Sequence, residues 1–249
     1  MPKLKAIVEY DGSSYHGWQL QPNATTVQGE IEIALSRIFR ERIVVFGAGR
    51  TDAGVHAIGQ VIHIEVPWKH SADNLKKALN SLLPDDICIL AISTAQDDFH
   101  ARHSAISKTY RYQILNQEIR SPLKRLYFWE ITYPLDLGKL QEASKLLIGI
   151  HDFSSFGAPT SGTPSTVRKI YEAFWEKDDV GNTFSFTIKG SGFLRFMVRS
   201  LVGTLVRVGL GKITVGDFAD IFRACDRSKA GPIAKPQGLF LMTVEYSEY

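Results

Sequence analysis

The stretch IVVFGAGRTDAGVHAIGQVIHIEV, residues 43–66, predicts two β-strands joined by a glycine-rich turn. Its first four residues are apolar and mostly β-branched, and residues 60–66 alternate between apolar and polar side chains. The turn between the strands carries one carboxylate, Asp52, close to Arg50. Because the flanking glycines let the backbone approach a ligand closely, we expect Asp52 to carry the chemistry of this protein.

The glycines of this turn resemble two nucleotide-binding motifs, and both motifs are incomplete. Gly47 and Gly49 begin a dinucleotide fingerprint, but Asp52 stands where the third glycine belongs, and a strand follows instead of a helix. Gly49 and Gly54 have the spacing of a phosphate loop, but no Lys and Ser/Thr follow them. A nucleotide-dependent oxidoreductase is therefore disfavoured. One alternative stays open on the local residues, namely that Asp52 only bonds its own backbone as a turn former.

The rest of the first half predicts strand and helix in a recognisable order. The predicted strands are residues 4–10, 43–46, 60–66 and 87–92, and the predicted helices are residues 27–41 and 74–83. Thr25 and Gln28 have the spacing of a capping box before the first helix. This βαββαβ order is that of a ferredoxin-like domain, a sheet with helices on one face.

The second half repeats the pattern more loosely. Strands are predicted at residues 108–115, 127–131, 169–176 and 183–189, helices at 137–148 and 193–208, and a last strand closes the half. The second helix is mostly apolar, yet Arg195, Arg199, Gly203 and Arg207 form one stripe at i, i+4 spacing. Buried guanidinium groups need anionic partners, which either Asp52 or RNA phosphate could supply. Residues 158–166 are predicted to form a long loop, either a mobile flap or a segment that contacts substrate.

Composition bounds the class of protein. The 249 residues, 44% apolar and 11% aromatic, are enough for one large domain or two smaller ones with packed cores. No membrane span or signal peptide is predicted, so we expect a cytoplasmic protein. Cys88 and Cys225 are isolated, and His100, His103 and His151 have no matching carboxylate cluster, so we expect neither metal nor disulfide framework.

Positive charge is clustered although the net charge is only +3. Residues 99–125 contain Arg102, Lys108, Arg111, Arg120, Lys124 and Arg125 against a single acid, Glu118. Residues 189–216 contain five cations and no acidic residue. Such clusters with aromatic neighbours fit a polyphosphate backbone with stackable bases, although a solvated charged face stays an alternative.

Several short motifs, in order along nearly the whole chain, together resemble the tRNA pseudouridine synthase A family. They are Glu9-Tyr-Asp-Gly12, Gly17-Trp-Gln19, Gly49-Arg-Thr-Asp-Ala-Gly-Val-His56, Asp98-Phe-His-Ala-Arg102, Lys108-Thr-Tyr-Arg-Tyr112, Asp152-Phe-Ser-Ser-Phe156, Met197-Val-Arg199, Leu201-Val-Gly203 and Gly238-Leu239. The chain departs from many members at Arg195, where they place an uncharged polar or aromatic residue.

The resemblance implies an isomerase that converts uridine to pseudouridine in the anticodon stem-loop of tRNA, at tRNA positions 38–40, without cofactor or metal. It implies that Asp52 is the catalytic carboxylate, that Tyr110 packs on the target base and that Arg199 pairs with the aspartate. It also implies a homodimer with an extended tRNA surface, to which we assign Arg50, Arg102, Lys108 and Arg195.

Taken together, we expect an α+β protein of two ferredoxin-like halves, residues 1–104 and 105–249, whose antiparallel sheets form a central RNA-binding cleft. Two alternatives stay open. Tyr110 shares a strand face with Tyr112 and Ile114, so without the resemblance it would be taken as a core aromatic. The protein as a whole could be a tRNA-binding module without turnover, but a pure binder gains nothing from a carboxylate such as Asp52, which repels RNA.

Overall fold

The computed structural model describes residues 2–158, 165–180 and 182–247. Residues 159–164, most of the predicted long loop, lie outside them. The chain divides into two compact units, Met1–Ile106 with Phe240–Tyr249, and Ser107–Leu239. None of the helices in the described ranges is long and apolar enough to span a membrane.

The elements confirm the predicted α+β class. The strands are β1 (Lys3–Tyr10), β2 (Phe46–Gly47), β3 (His56–Glu65), β4 (Ile87–Thr94), β5 (Ala105–Asn116), β6 (Trp129–Ile131), β7 (Gly149–Asp152), β8 (Val167–Lys177), β9 (Thr183–Gly190) and β10 (Leu239–Tyr246). The α-helices are α1 (Val27–Phe39), α2 (Ala72–Asn80), α3 (Leu137–Lys145), α4 (Met197–Gly209) and α5 (Val215–Arg223).

The first unit has the predicted βαββαβ arrangement. Its sheet runs β4-β1-β3-β10, and β2 also pairs with β3. β1 is antiparallel to β3 and β4, and β2 is antiparallel to β3, as expected for a ferredoxin-like fold. Apolar residues of α1 and α2 and of the alternating strand positions form the buried core, including Leu4, Ala6, Val8, Ile31, Leu35, Ile62, Ile64, Leu75 and Leu79.

The start of α1 differs in detail from the prediction. Thr26, not Thr25, caps the helix, because its extended backbone lets Oγ1 accept a hydrogen bond from the Gly29 amide. The Gln28 side chain does not close a capping box; its Nε2 donates to Glu32 Oε1 at 2.8 Å and to the Val45 carbonyl at 3.1 Å.

These bonds also explain why the strand predicted at 43–46 is short. The Val45 amide donates to Glu32 Oε1 at 3.2 Å, so both backbone groups of Val45 bond to α1 side chains. Pairing with β3 therefore begins only at Phe46.

The second unit contains the sheet β5-β9-β8-β7, in which all neighbouring strands are antiparallel, and β6 pairs in parallel with β5. α3 packs against β8 and α4. Two elements were not predicted: β7, which is only four residues long, and α5. The sequence did contain a signal for α5, since Thr214 and Asp217 form a reciprocal capping box.

Three features of this half correct the prediction. α4 begins at Met197 and not at residue 193, because Phe196 adopts a left-handed backbone with φ of 62°. Arg195 therefore lies outside the helix, and the helical stripe begins at Arg199. The last strand, assigned to the C-terminal half, belongs to the first unit, where Phe240 pairs with His56 of β3. The first segment of the first unit ends at Ile106, two residues beyond the predicted boundary after residue 104.

Candidate active site

Asp52 lies on the connection between β2 and β3, which pair in antiparallel fashion as the sequence predicted. The Val55 amide donates to the Asp52 carbonyl at 3.1 Å and closes a tight turn. The Asp52 side chain is half-buried, Thr51 is buried and Arg50 is exposed. The turn thus presents one carboxylate and one guanidinium from a compact backbone.

Gln60, which the sequence reasoning did not single out, holds the start of this turn. Its side chain is fully buried, and its Nε2 donates to the Gly49 carbonyl at 2.8 Å. Its Oε1 accepts from the Gly49 amide at 3.3 Å. The Ala48 amide donates to the Val61 carbonyl at 2.8 Å, so the chain entering the turn is bonded on consecutive residues.

A second set of contacts holds Thr51, the residue between the cation and the carboxylate. The Tyr10 hydroxyl and Thr51 Oγ1 share a buried hydrogen bond of 2.8 Å. Burial raises the pKa of Tyr10 well above its ordinary value, so this hydroxyl stays neutral. The Trp18 amide donates to the Thr51 carbonyl at 3.1 Å, and the Trp18 ring packs on Tyr10 with centroids 5.9 Å apart.

Two glycines allow the segment around Trp18 to approach the turn. Gly17 has φ of 94°, and a Cβ there would lie 2.7 Å from the Thr51 carbonyl oxygen. A Cβ on Gly12 would lie 2.0 Å from the Val55 carbonyl oxygen. The two motifs around Gly12 and Gly17 therefore act by supporting the Asp52 turn with backbone at close range.

His56 fixes the end of the turn and packs in the core. It is 1% exposed, and its ring stacks on Phe240 at 4.7 Å between centroids. Its Nδ1 accepts from the Gly12 amide at 3.0 Å and lies 3.1 Å from Asp11 Oδ1. His56 is therefore a packing residue in the wall behind the turn.

In the second unit, Tyr110 lies on β5 and is 7% exposed. Its ring meets Phe193 edge to face, with centroids 5.0 Å apart at an angle of 82°. Tyr112 and Ile114 on the same strand are fully buried. Burial of Tyr110 fits both a core aromatic and a rigid stacking surface, and its catalytic role stays a prediction.

Arg199 occupies the first turn of α4 and is half-buried. Its Nε donates to the Ala234 carbonyl at 2.8 Å, and the Ala234 amide donates back to the Arg199 carbonyl at 3.0 Å. Its guanidinium carbon lies 5.7 Å from the centre of the Phe196 ring. These contacts fix the plane of the guanidinium.

The remaining predicted RNA contacts are spread over both units. Arg102 is in the first unit, in the turn after β4, where its amide donates to His100 Nδ1 at 3.1 Å. Lys108 lies opposite Gly190 in the second unit's sheet. Arg195 is exposed, and its guanidinium lies 4.7 Å from the Phe196 ring centre.

His63, His100 and His103 form a cluster in the first unit. His100 and His103 were considered from the sequence, but His63 was not. The His63 ring lies 4.7 Å from His100, which lies 4.4 Å from His103. His63 Nδ1 accepts from the Ala101 amide at 3.1 Å, and burial lowers the pKa of His63 to about 4. Within residues 2–158, 165–180 and 182–247, no group of three or more His, Cys, Asp or Glu side chains is arranged to hold a metal.

Comparison with known proteins decides the family. A family model described as tRNA pseudouridine synthase matches residues 6–104 and 143–247, and thus most of the chain. The chain belongs to this family. Asp52 and Arg199 lie in the matched segments of the tRNA pseudouridine synthase model, whereas Lys108 and Tyr110 lie between them.

Full-length relatives support the same conclusion. The chain is 45% identical to tRNA pseudouridine synthase A of Thermoanaerobacter sp. (strain X514), over 99% of this chain and 100% of that protein. It is 44% identical to the Exiguobacterium sp. protein of the same name, over 100% of this chain and 99% of that one. A Streptococcus pneumoniae (strain 70585) relative is 41% identical over the whole of both chains. Membership of the tRNA pseudouridine synthase family confirms the predicted isomerase of tRNA uridines and disfavours a binding module without turnover.

Proposed function

We propose that this protein isomerises uridines in the anticodon stem-loop of tRNA, at the tRNA positions 38–40 that the family resemblance implies, and that Asp52 is the catalytic carboxylate. The observation that carries the proposal is the turn itself. Its backbone is held by Gln60 on one side and by Tyr10 and Trp18 on the other. Preorganised groups of this kind stabilise a transition state without reorganising when charge develops.

The reaction breaks the bond between C1′ and N1, turns the detached uracil and joins C5 to C1′. Atoms and electrons balance within the nucleotide, with one proton leaving C5 and one arriving at N1, so the proposed reaction uses no cofactor or metal. Asp52 acts at the sugar, either as a nucleophile on C1′ or as the electrostatic partner of an oxocarbenium-like transition state.

Tyr110 is proposed as the surface on which the uracil stacks while it turns. The edge-to-face contact between Tyr110 and Phe193 supports this role, since a rigid aromatic face loses little entropy when a base packs on it. Its hydroxyl is also a candidate for accepting the C5 proton.

Arg199 is proposed as the cation that keeps Asp52 ionised when RNA excludes water. The Nε bond to Ala234 supports this assignment, because it orients the guanidinium, whose planar fork suits a bidentate contact with a carboxylate. Arg50, Arg102, Lys108 and Arg195 are proposed to contact RNA, and their phosphate contacts offset the few kcal/mol needed to unstack the target base.

We also propose that the protein is a homodimer, and the open face of the second unit's sheet supports it. Arg111, Thr187 and Phe174 form one cross-strand row on that face. Arg111 Nε and Thr187 Oγ1 are buried without a hydrogen-bond partner in the described part of the chain, and Phe174 is 39% exposed. A second copy placed on the same face by two-fold symmetry would cover the exposed Phe174 ring. Since the substrate is tRNA, the proposal places the dimer in the cytoplasm.

Sedimentation equilibrium tests the dimer. Phe174→Glu is expected to give monomers, whereas Val180→Glu, at an 83% exposed residue of the same unit, is expected to leave the mass unchanged. A monomeric parent protein would refute this part of the proposal.

Tritium release from tRNA transcribed with 5-tritiated uridine tests the reaction. The parent protein and Asp73→Asn, a change at an exposed carboxylate on α2, should release tritium at the same rate. Asp52→Asn should release none and should retain tRNA binding. If the parent protein binds tRNA but releases no tritium, the protein is a tRNA-binding module without turnover.

A further inference from the structure

Residues 117–128 form a loop between β5 and β6 that presents large aliphatic side chains to solvent. Leu123 is 91% exposed and Ile119 is 80% exposed. Side chains this exposed contribute almost nothing to the protein's own core. Isolated exposed aliphatics are common, but two on one loop beside clustered cations indicate a contact surface.

The same loop carries an excess of positive charge. Arg120, Lys124 and Arg125 lie in it against one carboxylate, Glu118. Arg120 and Arg125 are exposed and Lys124 is half-buried, with its Nζ 5.4 Å from the centre of the Phe128 ring. Cations that alternate with exposed apolar side chains fit a surface that is both anionic and partly apolar, and RNA is such a surface.

The loop is held in shape before any ligand arrives. The Tyr127 and Phe128 amides both donate to the Lys124 carbonyl at 3.1 Å, and the Lys124 amide donates to the Ser121 carbonyl at 3.1 Å. β6 pairs in parallel with β5 immediately after the loop, so both of its ends are anchored in the sheet. A preformed surface binds without the entropic cost of ordering a flexible segment.

The loop is distant from the predicted base-stacking residue along the strand that carries both. Tyr110 and Asn116 are six residues apart on β5, which corresponds to about 20 Å. A contact at the loop would therefore reach RNA outside the target nucleotide. The loop also lies in the segment that the family model leaves unmatched, between residues 104 and 143.

We propose that residues 117–128 are a second tRNA-contact element, in which Arg120, Lys124 and Arg125 bind phosphates and Ile119 and Leu123 pack against sugar or base surfaces. The proposal rests on the proposed function, because tRNA is the partner it names. A second copy of the chain fits this loop poorly, since a two-fold contact would bring like charges together and two aliphatic tips bury little area.

The experiment compares full-length tRNA with its isolated anticodon stem-loop, using fluorescence anisotropy for binding over a range of salt concentrations. The apolar variant is Ile119→Ser with Leu123→Ser, and its matched control is Val180→Ser, also at an exposed aliphatic residue of the second unit. The cation variant is Arg120→Gln, Lys124→Gln and Arg125→Gln. Its control changes three surface cations of the same unit, Lys139, Lys145 and Arg223, to Gln.

Both loop variants should bind full-length tRNA about 10-fold more weakly than the parent protein does. Their affinity for the isolated stem-loop should equal that of the parent protein. The cation variant should also reduce the slope of log affinity against log salt by about 2 to 3. The controls should change neither affinity by more than about 2-fold. Melting temperatures equal to the parent's should accompany both loop variants, since none of the changed side chains is buried in the core.

Unchanged affinity for full-length tRNA in both loop variants would overturn the proposal. Equal losses for the two RNAs would also overturn it, because the loop would then act at the target stem-loop itself. A shift to lower mass in sedimentation, with tRNA affinity retained, would instead make the loop a contact between copies. Tritium release by the parent protein tests the proposed function separately. A wrong proposed function would therefore be distinguished from a wrong assignment of the loop.

Discussion

Gln60 bonds to both backbone groups of Gly49, with its Nε2 2.8 Å from the carbonyl oxygen and its Oε1 3.3 Å from the amide nitrogen. The amide side chain thus takes the place of a neighbouring strand at the point where the chain leaves β2 and begins the turn. Gln60 is fully buried, so its side-chain amide depends on these bonds to Gly49 rather than on water. The position of Asp52, three residues after Gly49, depends on them.

Gln60→Leu is expected to lower kcat about 10-fold to 100-fold with a smaller change in KM. The substitution keeps the volume but leaves both groups of Gly49 without their partners, which costs about 1–3 kcal/mol and lets the turn shift. Steady-state kinetics and urea unfolding measure the two effects. Ile62→Val, a buried change on the same strand face, is the control for stability alone. Equal losses of kcat in both variants would remove Gln60 as a positioning residue.

Gly17→Ala is expected to displace the Asp52 turn by pushing on Thr51, on the side of the turn opposite Gln60. Its Cβ would lie 2.7 Å from the Thr51 carbonyl oxygen, and its φ of 94° is unfavourable for alanine. Gly211→Ala is the control, since Gly211 has φ of 68° and a Cβ there would meet no described atom within 4 Å. The control should lose about 1 kcal/mol of stability and no activity. Gly17→Ala should lose more stability and most of its turnover, and a result no worse than the control would contradict this account.

Arg199→Lys is expected to lower kcat about 10-fold or more while the protein stays folded. Lysine keeps the charge but lacks both the Nε that bonds Ala234 and the planar fork. Arg207→Lys on the same helix is the matched control and should retain parent kcat. Single-turnover rates at saturating tRNA measure the chemical step. A parent-like rate for Arg199→Lys would exclude Arg199 from the proposed site.

The stability of the protein is expected to fall as the pH is lowered from about 7 to about 4. The pKa of His63 is about 4 in the folded protein because the ring is buried beside His100, and the ordinary value is 6.5. In this window the unfolded chain binds more protons than the folded one, so the free energy of unfolding decreases as the pH falls, and His63 contributes no further change below both values. The pKa of His100 is lowered in the same direction by its burial and by His103.

His63→Asn isolates this contribution to the pH dependence. The asparagine oxygen can accept the Ala101 amide in place of Nδ1, but asparagine does not titrate. Urea unfolding between pH 7.5 and pH 4.5 should show a shallower loss of stability in the variant, with His70→Asn, at an exposed histidine, as the control. Parallel curves for the parent and His63→Asn would refute the assignment.

The sequence by itself determined the order of elements in the first half, the hairpin that carries Asp52 and the family. These follow from local signals, namely the alternation after Gln60, the helical spacing in α1 and the run of short motifs from Glu9 to Leu239. The family motifs also singled out Gly12 and Gly17, although the reason for them was not visible in the sequence.

Only the tertiary structure decided which residues hold the turn and where several elements begin and end. In the sequence, Gln60 and Tyr10 are indistinguishable from ordinary strand residues. Their hydrogen bonds to the turn form only when strands that are distant in sequence come together. Phe196 moved the start of α4 and removed Arg195 from the helix through a left-handed backbone that phenylalanine rarely adopts. The last strand joined the first unit because it pairs with β3. The sequence did not indicate this pairing, because β3 lies far away along the chain. Local propensity reports on neighbours along the chain, whereas partners of this kind are fixed by packing alone.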